Sequence, residues 1–99
     1  MEQEGLRVSA FVTMLPPENI PDKLPLRAGW GPNIMIRGKF FPGRILDCKK
    51  EIHPGHSGSV VIGIMGRESD GLHLTHGAII ELWAGPTTPI ATAEIIEIF

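Results

Sequence analysis

From residue 5 to residue 15 apolar and other positions alternate, with Leu6, Val8, Ala10, Val12 and Met14 set against Arg7, Ser9, Phe11 and Thr13. Successive side chains leave a strand on opposite sides, so a period of two predicts a strand with one buried face. The pattern returns over residues 33–40, where Ile34 and Ile36 oppose Met35 and Arg37. Phe41-Pro42-Gly43-Arg44 reads as a turn or bulge, and a strand resumes over residues 44–48. Residues 59–65 place Val60, Ile62 and Ile64 on one face, with Val61 and Met65 on the other. Residues 76–83 alternate Ala78, Ile80 and Leu82 with Ile79, Glu81 and Trp83, and residues 90–99 form a last strand.

The segments between these are rich in turn formers. Residues 16–33 hold five prolines, two glycines and two asparagines, which no regular element tolerates. A long loop of this kind in a small domain is often functional. Residues 49–58 read as a polar connection, and residues 66–71 and 84–89 as turns. No window shows apolar residues at helical spacing between caps. About six antiparallel strands must protect their edges, and a small closed barrel does so most simply. The fold class is therefore all-β, a closed antiparallel barrel. The alternative is an immunoglobulin-like sandwich, which here lacks the cysteine pair and central tryptophan of antibody domains.

Composition supports one folded unit. The chain has 99 residues, 42% hydrophobic and 20% charged, enough apolar material for one core and not for two. Residues 1–4 read as a tail and residues 5–99 as the domain. Nine prolines and twelve glycines argue against helices. Cys48 is the only cysteine, and the opening MEQEGLRVSA lacks the layout of a secretory signal, so a reducing, cytoplasmic setting is expected. Apolar runs of four or five residues fall far short of the roughly 20 that span a bilayer, so no membrane partner is expected.

Charge changes the picture, because it is unevenly placed. Residues 1–22 sum to −3, residues 23–50 to +6 and residues 51–99 to −5. Neighbouring strands could pair these charges, or the middle third could form a basic face toward an acidic partner. Gly55-His56-Ser57-Gly58-Ser59 looks at first like a hydrolase turn. A nucleophile elbow, however, needs glycine at the fifth position and a helix after it, and here a strand follows. A two-barrel serine protease draws its triad from more chain than this. A serine hydrolase using Ser57 is thus the remote alternative, and no catalytic residue is assigned.

His53 and His56, like His73 and His76, are three apart. On a strand such pairs face opposite ways, whereas His53 and His56 in a turn would need a further ligand such as Cys48 to hold zinc. No metal and no cofactor is expected. Cys48 stands next to Lys49 and Lys50, which would lower its thiol pKa, yet a strand-end hydrophobe is its simpler role. Trp30, between glycines, is either an exposed anchor or a plug for the barrel mouth.

Set end to end, several stretches resemble the C-terminal β-barrel, domain III, of translation elongation factor Tu. RVSAFVTMLPPE resembles the opening strand of that domain. Gly29-Trp30-Gly31-Pro32-Asn33-Ile34 resembles the family's Gly-Tyr-Arg-Pro-Gln-Phe signature, leading into IMIRGKF. Ile52-His53-Pro54-Gly55-His56 and SVVIGIM resemble a Met-Pro-Gly-Asp-Asn turn and its strand, and the stretch from Thr75 to the end resembles the last two strands. The likeness spans about residues 6–99 and rests on order and spacing. It implies a six-stranded antiparallel barrel without catalytic residues, one that in the family packs on a GTPase domain and touches the T stem of tRNA and protein partners. This chain has no Gly-x-x-x-x-Gly-Lys-Ser/Thr loop, so it is expected to bind no nucleotide. The family's signature arginine is Gly31 here, and its Arg-Glu-Gly-Gly-Arg turn is Trp83-Ala-Gly-Pro-Thr-Thr88, so those cations are missing for tRNA.

The expectation is a stand-alone or excised module of this kind that docks a protein partner. Arg27 and Trp30 of the long loop, with Arg37, Lys39 and Arg44 of the basic segment, are its candidate contacts. The alternative is an RNA-binding module using residues 23–50.

Overall fold

The structure, a computed structural model, describes residues 5–20 and 25–99. The expected tail 1–4, and Lys23 at the start of the basic segment, lie outside the described residues. Six strands form a closed barrel: β1 (Leu6–Met14), β2 (Asn33–Ile36), β3 (Lys39–Asp47), β4 (Ser57–Ile64), β5 (Ile79–Ala84) and β6 (Thr88–Ile98). Every neighbouring pair is antiparallel, in the order β1-β4-β3-β2-β5-β6 and back to β1. The barrel expected from the alternation is the fold, and the sandwich is not.

Alternation decides which side chains point inward. Val8, Ala10 and Val12 of β1, Ile62 and Ile64 of β4, Ile80 and Leu82 of β5 and Ala93 and Ile95 of β6 are all buried. Their partners in sequence, such as Arg7, Phe11, Glu81 and Glu94, face solvent. Loops close both ends. Leu26 and Ile52 bridge between two loops at one end, beside buried Ile20, while Leu72 and Leu74 from the β4–β5 connection are buried at the other. Among the described residues no polar or charged side chain is buried, so the interior is wholly apolar.

Two local expectations need correction. Residues 33–40 are two strands rather than one, because the chain reverses at Arg37 and Gly38, with φ of 47° and 79°. Two positive φ values in succession make the turn whose twist suits a tight hairpin. Gly38 marked it, but an arginine in the left-handed region is rare enough to hide it. Conversely, Phe41-Pro42-Gly43-Arg44 does not turn, since β3 runs through it. Pro42 stands just outside the β3–β4 register, which begins at Gly43↔Ile64. Gly43 lets the Ile34 side chain lie against its backbone: an added Cβ would come within 2.6 Å of Ile34 Cγ1. A smaller difference concerns residues 76–78, which precede β5 as a turn.

Candidate functional site

With an interior of this kind, any chemistry has to stand on the outer surface. The five candidate contacts are spread over it. Arg27 is exposed, with Nη1 3.9 Å from Glu51 Oε1. Both side chains stand largely in water, and such surface pairs contribute about 1 kcal/mol at most. Trp30 is half-buried against the core. Its carbonyl accepts the Ile45 N–H at 2.8 Å, which fixes the long loop beside the far end of β3. The tryptophan therefore packs onto the barrel rather than standing clear of it.

Arg37 and Lys39 sit at the opposite end, about six strand residues and roughly 20 Å from Ile45. Their donors reach inward across the chain. Arg37 Nη2 donates to the carbonyls of Gly71 and His73 at 2.9 and 2.8 Å, and Lys39 Nζ donates to the Asp70 carbonyl at 2.6 Å. Lys39 Nζ also stands 5.7 Å from the Phe41 ring centroid. These two cations hold the β4–β5 connection against the β2–β3 hairpin. Arg44 is different: it projects from the middle of β3 with no hydrogen bond or ion pair among the described residues.

Around Arg44 the outer wall forms an open groove of about 770 Å³, whose lining includes Arg7, Arg44, Leu46, Gly63, Met65 and Phe99. Its centre follows from strand register. Gly63 of β4 pairs with Arg7 of β1 on one side and with Arg44 of β3 on the other. Directly paired residues share a face, so two guanidinium groups flank a position with no side chain. Leu46 leans toward that gap, its Cδ1 being 3.2 Å from where a Gly63 Cβ would be. Leu46, Met65 and Phe99 are 45%, 54% and 65% exposed and gather at this one groove, whereas the comparably exposed Phe11, Ile79 and Ile96 lie outside it.

Arg7 is not one of the five candidate contacts. Its signal lay in the alternation, which puts it outward on β1, but nothing in the chain placed β1 next to β4 or aligned Arg7 with Gly63. A second hollow of about 510 Å³ lies at the hairpin end, lined by Leu6, Arg67, Glu68, Leu72 and His73 among others. Its charges are of both signs.

The remaining candidates resolve differently. The Ser57 hydroxyl donates to the Thr13 hydroxyl at 3.1 Å across the β1–β4 pair. The His53 and His56 rings meet edge-on with centroids 6.5 Å apart. Among the described residues no three His, Cys, Asp or Glu side chains gather as metal ligands. Cys48 is a free thiol whose pKa is raised from 9.0, chiefly by burial, against the lowering effect of a backbone hydrogen bond at Lys50; the thiol also donates to the Lys50 carbonyl at 2.8 Å. Asp47 and Glu51 raise it further, so the lowering expected from the neighbouring lysines does not prevail.

Compared with known protein families the chain matches none, and compared with curated proteins it again matches none.

Proposed function

We propose that this barrel is a non-catalytic binding module that docks a protein partner on its outer wall, in the manner of a stand-alone or excised counterpart of the C-terminal barrel of elongation factor Tu. The observation that carries this is the groove across β1, β4 and β3, whose lining brings three exposed large apolar side chains together with two arginines. Apolar surface ringed by polar groups is the usual make-up of a protein-binding patch, with arginine enriched at its contacts. Of the five sequence-derived contacts, Arg44 belongs to this patch. Arg27 and Trp30 flank β3 at its far end, where they support the loop next to the patch. The module works in the cytoplasm on this reading, supported by its one free thiol.

RNA is the competing ligand, favoured by the exposed Arg27 and Arg44. Phosphate recognition, however, relies on many cations and gains little from exposed leucine or methionine.

A photo-crosslinking residue at position 46 or 65, compared with one at Thr92 on the β6 wall, separates these outcomes. In lysate of the producing cells, discrete protein adducts are expected from positions 46 and 65 and none from 92. Adducts to RNA, or equal labelling from all three positions, would count against protein docking.

A further inference from the structure

The row Arg7–Gly63–Arg44 has a chemistry more specific than a basic patch. Two strand spacings separate the arginine Cα atoms, on the order of 10 Å, and side chains of this length reach across such a distance. Gly63 itself has no side chain, so only Leu46 leans over the position between them. A carboxylate accepts charge-assisted hydrogen bonds from more than one guanidinium, so one carboxylate bridging both arginines satisfies donors that otherwise face water.

The row toward the β4 end is apolar, and the row toward its start is mixed. Toward the β4 start the row is Ser9–Val61–Asp47, with Leu46 of the groove beside it; toward its end come Met65, Pro42 and Phe99. Each row is two residues along β4, roughly 6.6 Å, and an extended peptide lying along the strand keeps the same spacing. Asp47, exposed and paired with Val61, adds a negative charge to the first of these rows. That charge opposes a second anion there, and it opposes the repeated phosphates of RNA.

The geometry points to an acidic peptide segment as the occupant, in extended form, with one glutamate or aspartate side chain between Arg7 and Arg44 and apolar residues two positions before and after it. This rests on the protein-docking reading above and narrows it to a sequence pattern. The closed barrel offers no free edge, so the segment binds by side chains rather than by adding a strand.

Titration of the isotope-labelled protein with capped acetyl-Ile-Ser-Glu-Ser-Phe-amide tests the pattern by NMR. The amide signals of Arg7, Arg44, Gly63 and Met65 should move. A peptide with glutamine in place of glutamate, or with the glutamate moved to the first position, should bind at least about tenfold more weakly. The double variant Arg7→Gln, Arg44→Gln should lose the same factor while its melting temperature stays within about 2 °C. Equal binding of the glutamate and glutamine peptides, or shifts confined to another face, would overturn the inference. So would a tRNA pool moving these signals where the peptide does not. If crosslinks from positions 46 and 65 persist undiminished in the double variant, protein docking stands and the arginine clamp is wrong.

Discussion

The hairpin end and the groove wall use the same kinds of residue in opposite ways. At the hairpin end Arg37 and Lys39 donate to backbone carbonyls of residues 70–73, so their charge holds one loop to another. On the wall Arg7 and Arg44 extend from one row of the sheet, on either side of β4, and donate to no partner among the described residues. The glycines divide likewise. Gly43 makes room for a core side chain, whereas Gly63 makes room for the exposed Leu46 on the outside. A run of positive charge in the sequence therefore mixes structural ties with outward-facing handles, and only the strand register separates them.

The largest effect that would sharpen this contrast is at the glycines. Gly43→Ala forces Ile34 out of a 2.6 Å contact and meets the Pro32 carbonyl at 3.2 Å, so a loss of about 1–3 kcal/mol is expected in denaturant unfolding. Gly63→Ala meets only exposed Leu46 and should cost less than about 0.5 kcal/mol. Equal losses at the two positions would break the contrast.

Next in size is Arg37→Ala, which removes two hydrogen bonds to Gly71 and His73 and is expected to cost about 1 kcal/mol. Amide exchange at Leu72 and Leu74 should speed up more than exchange at Val8 or Ile62. Arg37→Gly loses the same bonds but relieves the left-handed backbone at φ 47°, so it should cost less than the alanine. The matching changes on the wall, Arg7→Gln and Arg44→Gln, should each stay within about 0.5 kcal/mol. A larger loss there would show that the wall arginines are ties as well.

The smallest effect concerns Cys48, a third residue whose chain neighbours mislead. Because its pKa is raised in the folded state, the folded protein holds the thiol proton more tightly than the unfolded chain does. The associated stability is complete below the ordinary value of 9.0 and falls as pH climbs through the folded value. The native alkylation rate with iodoacetamide should still be climbing above pH 9.0, where the urea-unfolded chain is levelling off. A native profile that levels off at lower pH than the unfolded one would mean that Lys49 and Lys50 prevail. Cys48→Ser should remove the matching part of the pH dependence of unfolding.

Much of the barrel was legible because alternation is a direct image of burial. Every inward residue of β1, β4 and β5 could be counted off from the pattern, and closure followed from the need to protect edges. The hairpin was not legible, because an arginine at positive φ leaves no compositional mark. Nor was the passage of β3 through Pro42 and Gly43, whose sense depends on where β4 ends and where Ile34 lies. The groove was half legible. Arg44 shows by its charge in the basic segment, but Arg7 belongs to it only because β1 lies on the other side of β4, and chain order does not reveal that neighbour.

The closure of β1 on β6 has a mechanical side. The strands are antiparallel, and the Phe99 N–H still donates to the Arg7 carbonyl at 2.8 Å, so the first and last strands leave the barrel at the same end. A pull on both ends loads that ladder one rung at a time, since its bonds lie across the strands. It opens like a zip, at low force, instead of resisting by shear. Tethered by both ends, such a barrel would yield early under tension, and the row holding Arg7 would be among the first to part.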